Sequence, residues 1–417
     1  MIDKDLVIIG GGSAGLAAAI GAYEEGVRDI LILEKLPFLG GILNQCIHNG
    51  FGLAEFKEEL TGPEFAARFI KQVEERNIPY LLETTVTAIS KKKIVTYTNE
   101  KEGAVEVKAK AIIMAAGCYE RNAGAIGIPG SRPAGVLTAG QAQLFLNEYG
   151  YLAGKKVFIL GSGDIGLIMA RRLTLEGAKV LGVAEICAWS NGLNRNMVQC
   201  LYDFDIPLFL SHTVSKIIGK ERVEAIEISK VDANMKPIEG SEKRFDVDTL
   251  ILSIGLIPNN DLLNNIGIPV SRSKGASVDE NYETPLEGVF SCGNVLHVHD
   301  LVDNVVSEAR EAGRNAAKYI KGTLLRSANT IEIKAGEGIG YVVPSFIDLK
   351  NAGEKIQFKF RVRKPSKNVY IDYCEGDKIV KSVFKPVIIP SEMEIETLPK
   401  ILFSGKQNIT VCLRNKE

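Results

Sequence analysis

Two six-residue stretches of this sequence carry glycines at the spacing Gly-x-Gly-x-x-Gly, and an acidic residue follows each at the same distance. The first stretch occupies positions 10–15 and is followed by Glu34; the second occupies positions 161–166 and is followed by Glu185. The first glycine of such a stretch allows a tight turn, the second lets a pyrophosphate approach the backbone, and the third lets a helix pack closely on a strand. The later carboxylate can accept hydrogen bonds from a ribose hydroxyl. These residues predict two dinucleotide sites.

The elements around the first stretch are those that a dinucleotide site requires. The apolar residues 6–9 predict a buried parallel strand, and a helix is expected to begin at Ala14. A second strand over 29–33 leads into Glu34. The N–H groups and the positive dipole end of the helix would then face the phosphates.

The second stretch repeats this order, with a strand over 156–160, a helix over 167–176 and a strand over 179–184 that leads into Glu185. An acid at the end of that strand favours an unphosphorylated ribose, and therefore NAD over NADP. Arg195 is the nearest downstream residue that could instead accept a ribose phosphate. Two copies of one pattern indicate two nucleotide sites.

Other segments carry small or polar residues where a ligand could approach the backbone. A glycine- and amide-rich loop with a short helix is expected over 40–52, and a helix is predicted over 305–321. A strand is predicted over 245–253. The strand ends with small or amide residues are Ala116-Gly117, Gly255 and Gly293-Asn294.

The composition excludes several classes of protein. The chain has 417 residues, 24% of them charged, and a formal net charge of −1, which argues against electrostatic binding to nucleic acid or to a membrane surface. No apolar run reaches the ~18 residues of a membrane span, and the chain enters its first strand directly, so no signal peptide is expected. Seven scattered cysteines without a Cys-x-x-Cys pair favour a reducing compartment, and we expect a cytoplasmic location.

These patterns predict an α/β protein with two Rossmann-like dinucleotide-binding domains and a small antiparallel β domain at the C-terminus. The first domain is discontinuous, over 1–118 and 248–326, and the second is inserted at 119–247. Residues 327–417 alternate apolar and charged positions with a period of two, which is typical of antiparallel strands.

The order of these motifs resembles the flavoproteins of the pyridine nucleotide-disulfide oxidoreductase superfamily, over about residues 1–325. The resemblance implies FAD on the first glycine stretch and NAD(H) on the second, with Asn294 in place of the family's aspartate. The residues it assigns to FAD are Gly10, Gly12, Ser13, Ala14, Gly15, Glu34, Lys35, Gly41, Ala116, Gly117, Gly293, Asn294 and Val305. The residues it assigns to NAD are Gly161, Gly163, Asp164, Ile165, Gly166, Glu185 and Gly255.

Within that superfamily, the stretch 115–141 is similar to the flavoprotein subunits of multi-subunit dehydrogenases, such as heterotetrameric sarcosine oxidase, hydrogen cyanide synthase and dye-linked proline dehydrogenase. The run 40–48 and the C-terminal β domain are similar to an oxidoreductase encoded beside glycerol-3-phosphate dehydrogenase-like flavoproteins in anaerobic bacteria. The resemblance implies electron transfer between NAD(H) and a second flavoprotein subunit, with glycerol 3-phosphate as the candidate substrate. It leaves open the direction of electron flow and whether the chain forms a homo- or a hetero-oligomer.

Two other functions compete with this interpretation. The disulfide enzymes of this superfamily need either two cysteines shortly after the first glycine stretch, where this chain has only Cys46, or a Cys-x-x-Cys pair in the second domain, which is absent. Dithiol transfer is therefore not expected. Cys46, with His48 as its base, could instead make the protein a single-cysteine NADH oxidase or peroxidase. A lone cysteine is more often an inert apolar residue. The other alternative is a non-enzymatic nucleotide-binding scaffold.

Two histidines close to an aspartate invite comparison with a metal site. His297, His299 and Asp300 lie near Cys292 in the sequence, but no fourth ligand follows at a familiar spacing. We therefore predict no metal site, and expect polar contacts within the loop or to the flavin.

Overall fold

The computed structural model describes residues 2–324, 326–327 and 329–416, and its contacts divide the chain into two units. One unit comprises Met1–Cys118 and Pro258–Glu417, and the other comprises Tyr119–Ile257. Each glycine stretch follows a central strand of a sheet that is parallel around that strand. The strands at the C-terminus are mostly antiparallel. The predicted fold class is confirmed.

The first unit begins with a strand–helix–strand segment around the first glycine stretch. β1 pairs in parallel with both β2 and β8, which places the strand before the glycines at the centre of the sheet. Helix α1 is buried from Ala14 to Ala22. The elements are β1 (Ile2–Ile9), α1 (Ser13–Glu24), β2 (Ile30–Leu33), a 3-10 helix (Gly41–Gln45), β3 (Asn49–Phe51), β4 (Leu60–Thr61), α2 (Gly62–Glu75), β5 (Tyr80–Leu81), β6 (Thr85–Ile89), β7 (Ile94–Asn99) and β8 (Gly103–Met114).

The chain from Cys118 to Pro258 forms a parallel sheet in the order β10-β17-β11-β12-β13 and a separate antiparallel sheet in the order β14-β15-β16. Its elements are β9 (Cys118–Glu120), α3 (Ala123–Ile126), β10 (Val136–Thr138), α4 (Ala139–Asn147), β11 (Lys156–Leu160), α5 (Asp164–Leu175), β12 (Lys179–Glu185), α6 (Asn194–Cys200), a 3-10 helix (Tyr202–Phe204), β13 (Leu208–Leu210), β14 (His212–Ile218), β15 (Ala225–Lys230), β16 (Lys243–Phe245), β17 (Thr249–Leu252) and β18 (Leu256–Pro258).

The prediction of one strand over 245–253 is wrong, because β16 and β17 belong to different sheets. A turn separates them, and the carboxylate of Asp248 accepts hydrogen bonds from the N–H groups of Lys155 and Lys156. β17 lies between β10 and β11 in the parallel sheet. The second unit extends to Ile257, whereas the sequence predicts its boundary at residue 247.

The first unit resumes after Pro258 with α7 (Asp261–Asn265), β19 (Val289–Ser291), a 3-10 helix (Gly293–Val295) and α8 (Val302–Ile320). β19 joins the first sheet by pairing in parallel with β8. Helix α8 begins three residues before its predicted start at Val305, since Leu301 is the last residue with extended backbone angles. Neither α8 nor any other helix within the described ranges is long and apolar enough to cross a lipid bilayer.

The C-terminal strands form two sheets, in the orders β22-β20-β27-β24-β25 and β21-β23-β26. Their core contains fully buried aromatic side chains such as Phe358 and Tyr373. Most pairings are antiparallel, as predicted, although β20 and β27 pair in parallel. The strands are β20 (Ile331–Ala335), β21 (Ile339–Val343), β22 (Phe346–Ile347), β23 (Lys355–Val362), β24 (Ser366–Glu375), β25 (Lys378–Ile388), β26 (Glu394–Pro399) and β27 (Asn408–Asn415), with a 3-10 helix at Lys400–Phe403.

Two carboxylates, the buried Asp279 and the partly buried Glu280, lie where the segment before β19 contacts the C-terminal strands. Glu280 accepts a hydrogen bond from the N–H of Asp348 at 2.8 Å, and Asp279 accepts from the N–H of Glu283. Burial raises the pKa of Glu280 to about 8, with a further contribution from the charge of Asp279. Burial likewise raises the pKa of Asp279 to about 7. Both groups bind protons more tightly in the folded chain than in the unfolded one.

A raised carboxyl pKa in the folded state makes the free energy of unfolding fall as the pH rises. For Glu280 the loss begins near its ordinary pKa of 4.5 and is complete near pH 8. We expect Glu280→Gln, which keeps a carbonyl acceptor for Asp348, to stabilise the protein by at least about 1.4 kcal/mol at pH 8.5, the value of one pKa unit. The gain should shrink towards pH 5. Urea unfolding at both pH values measures it, and equal stabilities at pH 8.5 would contradict it.

Candidate functional site

The first glycine stretch forms the turn between β1 and α1. A side chain at Gly10 would lie 2.5 Å from the carbonyl oxygen of Ala115, and one at Gly15 would overlap the carbonyl of Gly10. At Gly12 the situation is different, because the nearest described atom to an added Cβ is the Cα of Gly41, 4.0 Å away. Gly12 therefore borders open space, where an anionic group could approach the turn.

The backbone of α1 is prepared for an anion at the same point. Gly12 is the N-cap residue of α1, and it provides no side-chain cap. The first-turn N–H groups, including that of Ser13, and the positive dipole end can therefore serve a phosphate. By contrast, α2 begins with a capping box formed by Thr61 and Glu64.

Two more glycine segments lie against this turn. The N–H of Gly40 donates to the carbonyl oxygen of Gly11 at 2.9 Å, and a Cβ at Gly41 would lie 3.2 Å from the Cα of Gly12. A Cβ at Gly293 would lie 2.7 Å from the Cβ of Ala14. The structure thus brings together residues that are far apart in the sequence and were assigned to one ligand.

Glu34 is buried at the end of β2 and holds the turn with its carboxylate. Its Oε2 accepts from the N–H of Gly11 at 2.6 Å, and its Oε1 accepts from the N–H of Leu36 at 2.8 Å. A carboxylate has further lone pairs, so these bonds leave acceptor capacity for a ribose hydroxyl. Lys35 is exposed beside it.

The ends of neighbouring elements provide the remaining residues assigned to FAD. Ala116 and Gly117 follow β8, and Gly117 has φ of +67° with no described atom within 4 Å of an added Cβ. Asn294 accepts a hydrogen bond from the N–H of His299 through its Oδ1. Val305 lies in the first turn of α8, whose N-cap residue, Leu301, makes no side-chain cap.

The second glycine stretch repeats the geometry of the first. Gly161 has φ of +99°, and a Cβ at Gly166 would lie 2.7 Å from the Cβ of Ser253. Gly163 is the N-cap residue of α5, again without a side-chain cap, and an added Cβ there would make only an ordinary contact, 3.4 Å from the Oγ of Ser253. This turn too leaves room at its middle glycine.

Glu185 holds the second turn as Glu34 holds the first. Its Oε2 accepts from both the N–H and the hydroxyl of Ser162, at 3.0 and 2.7 Å, and its Oε1 accepts from the N–H of Cys187. Asp164 points its Oδ1 to the N–H of Leu193 at 2.8 Å, which ties the following loop to the start of α5. The acid–turn pairing is therefore the same in both units.

The other residues assigned to NAD lie in the same unit. Ile165 follows Asp164 in the first turn of α5. Gly255 follows β17 with φ of +101°, and the nearest described atom to an added Cβ is the Cδ of Arg121, 3.8 Å away. Arg195 is exposed on α6.

Cys46 and His48 lie just after the 3-10 helix of residues 41–45. The thiol of Cys46 donates to the carbonyl oxygen of Ile42 at 3.3 Å, a contact that a thiolate could not make. His48 Nδ1 lies 3.1 Å from the carbonyl oxygen of Asn49, and its ring contacts Phe51. A redox role for Cys46 stays a prediction.

The structure also contains a buried polar cluster that the sequence analysis did not predict. His297 and His299 converge on Glu308, and the possible ligand atoms of the three residues lie within 4.8 Å of one another. Asp300 instead accepts from the N–H of Met393. The ammonium of Lys359 lies 2.6 Å from Glu308 Oε2, the oxygen nearest to the histidines. It balances the carboxylate charge that a metal ion would otherwise balance.

A sequence signal for this cluster existed in part. Glu308 lies on the buried face of α8, near small apolar residues such as Val305 and Ala312. An acid among such residues is rarely buried without a partner. The partner, Lys359, lies about fifty residues further along the chain, and no local pattern connects the two.

Comparison with known proteins decides the family. The model of the pyridine nucleotide-disulphide oxidoreductase family matches residues 4–316. The chain belongs to this family. Family members use FAD and NAD(P)H, and this chain is an FAD-dependent pyridine nucleotide oxidoreductase. The match ends within α8, so the C-terminal strands lie outside it.

Individual relatives are distant. Hydrogen cyanide synthase subunit HcnB of Pseudomonas protegens is 26% identical over 314 residues, which is 70% of this chain but 64% of that subunit. Thioredoxin reductase of Bacillus subtilis is 25% identical over 295 residues, covering 70% of this chain and 86% of the reductase. The crystal structure of T. acidophilum thioredoxin reductase has a TM-score of 0.62 at 22% identity, covering 77% of this chain and 99% of that one, and supports the fold.

Proposed function

We propose that this oxidoreductase transfers electrons between NAD(H) and a second flavoprotein subunit, with FAD bound in the first unit and NAD(H) in the second. The observation that supports it best is the repeated turn. In both units a buried acid holds a glycine turn whose middle glycine, Gly12 or Gly163, borders space beside an uncapped helix N-terminus. When bound, FAD and NAD(H) supply the hydride chemistry.

We infer the roles of the protein residues from their positions. The first-turn N–H groups of α1 and α5 would bind the pyrophosphates, and Glu34 and Glu185 would accept hydrogen bonds from ribose hydroxyls. The first turn of α8, at Val305, would stabilise negative charge on the flavin through its dipole. An electron carrier needs binding, orientation and exclusion of water, and no acid–base triad is required of the chain.

The acid at the second site supports NAD as the natural dinucleotide. A ribose 2′-phosphate placed next to Glu185 would meet a buried carboxylate, and the next basic residue, Arg195, is exposed on α6. We expect kcat/KM with NADH to exceed that with NADPH by at least tenfold, about 1.4 kcal/mol of transition-state binding. Steady-state reduction of a dye by each nucleotide measures the ratio of the two kcat/KM values, and equal values would contradict the preference for NAD.

The partner subunit is inferred from what the chain does not encode. The sequence has no Cys-x-x-Cys pair, so reducing equivalents cannot leave through an internal dithiol of that type. HcnB, a relative over 70% of this chain, is by its name one subunit of a synthase. We therefore propose that a second flavoprotein, encoded near this chain, carries the substrate site, with glycerol 3-phosphate as its substrate.

Co-expression tests the partner. The tagged chain should co-purify with the products of neighbouring genes, and the complex should couple glycerol 3-phosphate oxidation to reduction of NAD⁺. The isolated chain should reduce dyes with NADH but should not oxidise glycerol 3-phosphate. If the complex oxidised a different substrate, the proposal of glycerol 3-phosphate would be wrong, but the proposed role of this chain in electron transfer would still hold.

The single-cysteine oxidase or peroxidase is the second candidate, because Cys46 caps the end of the 3-10 helix that begins at Gly41, a residue of the first site. We expect Cys46→Ser to keep NADH–dye activity within about twofold and to leave oxygen or peroxide consumption unchanged, since the thiol is not needed by an electron carrier. NADH oxidation is followed with dye, oxygen and peroxide in turn. Loss of peroxide turnover alone in the variant would favour the peroxidase.

The location of the protein is also a proposal. The described residues contain no disulfide bond, which suits a reducing compartment such as the cytoplasm. Fractionation of cells that produce the chain would test this.

A further inference from the structure

Lys359 lies at the centre of a buried polar network within the first unit. It belongs to β23, and its side chain is 5% exposed. Its ammonium donates to Glu308 Oε2 at 2.6 Å and to the hydroxyl of Tyr282 at 3.0 Å. A lysine is buried at a cost unless it is paired in this way, so the network depends on both partners.

Glu308 links Lys359, on a C-terminal strand, to the segment after β19. Its side chain is fully buried on α8, and its Oε1 accepts from the N–H of Gly293 at 2.8 Å. Burial by itself would raise the pKa of Glu308, but the charge of Lys359 and the contact with His297 outweigh it and hold the pKa well below its usual value. Glu308 is therefore ionised at neutral pH.

His297 and His299 complete the surroundings of the carboxylate. Burial, followed by the neighbouring His299, lowers the pKa of His297 to about 4, so the ring is neutral. Its Nε2 lies 2.9 Å from Glu308 Oε2, and its Nδ1 lies 3.3 Å from the hydroxyl of Tyr341 on β21. The ammonium of Lys359 lies closer to Glu308 than either histidine ring does.

The network ends at the candidate FAD site. Gly293, which donates to Glu308, lies against Ala14 in the first turn of α1 so closely that a Cβ would not fit. Asn294 follows it directly. If Glu308 were displaced, the N–H of Gly293 would lose its acceptor and this segment would lose its fixed position beside the turn.

We propose that Lys359 is a positioning residue for FAD: it holds the Glu308 carboxylate, which in turn fixes the Gly293-Asn294 segment against the first glycine turn. The C-terminal strands are then part of the cofactor site, although they lie outside the region that the family model matches. This inference rests on the proposed placement of FAD beside Gly293.

A set of charge variants tests the inference. Lys359→Met removes the ammonium and leaves a buried carboxylate, whereas the double variant Lys359→Met with Glu308→Gln removes both charges and keeps a carbonyl acceptor for Gly293. Lys385→Met is the matched control, because Lys385 on β25 also bridges two carboxylates, Glu394 and Glu396. The dissociation constant of FAD and the visible circular dichroism of the bound flavin are measured on folded protein, and the melting temperature is recorded separately.

We expect Lys359→Met to raise the dissociation constant of FAD at least tenfold and to change the flavin circular dichroism. The double variant should return to within about threefold of the wild type, because no uncompensated charge remains. Lys385→Met should change only the melting temperature.

A purely structural role for Lys359 gives a different result. Lys359→Met would then lower the melting temperature while the FAD affinity and the flavin spectrum of the folded protein stay at wild-type values, and the inference would be wrong. A wild-type chain that binds no FAD would instead overturn the proposed function. If a Gly12 variant still bound FAD, the proposed position of FAD at the first glycine turn would be wrong. These results differ from one another, so a failure of the inference can be told apart from a failure of the proposed function.

Discussion

Gly12→Val should yield a folded but colourless protein. The backbone angles at Gly12, φ −78° and ψ −171°, suit any residue, and the nearest atom to an added Cβ is 4.0 Å away. The fold therefore tolerates valine, but its methyl groups would fill the space beside the first turn of α1. We expect the dissociation constant of FAD to rise at least a hundredfold, about 2.8 kcal/mol.

Flavin content after purification and titration of the apoprotein with FAD measure this effect, and circular dichroism and thermal melting verify the fold. Gly15→Val is unsuitable for this purpose, since a side chain there would overlap the carbonyl of Gly10 and disrupt the turn itself. A yellow Gly12→Val protein with wild-type affinity would show that FAD does not use this turn.

Gly163→Val should have the complementary effect, a protein that stays yellow but is no longer reduced by NADH. Gly163 also has ordinary backbone angles, φ −65° and ψ 159°, and a Cβ would reach only the Oγ of Ser253 at 3.4 Å. Valine would obstruct the first turn of α5, where the second pyrophosphate is proposed to bind. We expect kcat/KM for NADH to fall at least a hundredfold.

Each of these two variants is the control for the other. Gly163→Val should retain stoichiometric FAD, whereas Gly12→Val should lose FAD whether or not NADH is present. Stopped-flow reduction by NADH, with dithionite as a nucleotide-independent reductant, separates a damaged nucleotide site from a damaged flavin. If NADH reduced Gly163→Val at the wild-type rate, the proposal that NAD(H) binds at the turn of the second unit would be wrong.

Local sequence information was sufficient for the two glycine turns. Their form follows from steric limits on consecutive residues, such as the positive φ of Gly10 and Gly161, and from a carboxylate at a fixed distance along the chain. For this reason Glu34 and Glu185 could be predicted from the sequence as the acids at the ends of the strands that follow the two turns. The structure adds that both also accept N–H groups of their own turn.

The features that the sequence analysis missed depend on tertiary contacts. Along β23 the apolar residues Ile356, Phe358 and Phe360 alternate with polar and charged residues, a pattern typical of a strand with one face in water, yet Lys359 is buried. Alternation of apolar and charged residues indicates that one face of a strand is buried. It does not show whether another part of the chain covers the opposite face. β16 and β17 were predicted as a single strand for a similar reason, because only their pairing in different sheets shows that they are two strands.

Anaerobic titration of the FAD-loaded wild-type chain with NADH tests the central claim most directly. If the two turns bind FAD and NAD(H) for electron transfer, the visible flavin absorbance should disappear at about one NADH per FAD and return on addition of an electron-accepting dye. A flavin that stays oxidised in excess NADH, yet is reduced by dithionite, would contradict the account and favour a nucleotide-binding scaffold.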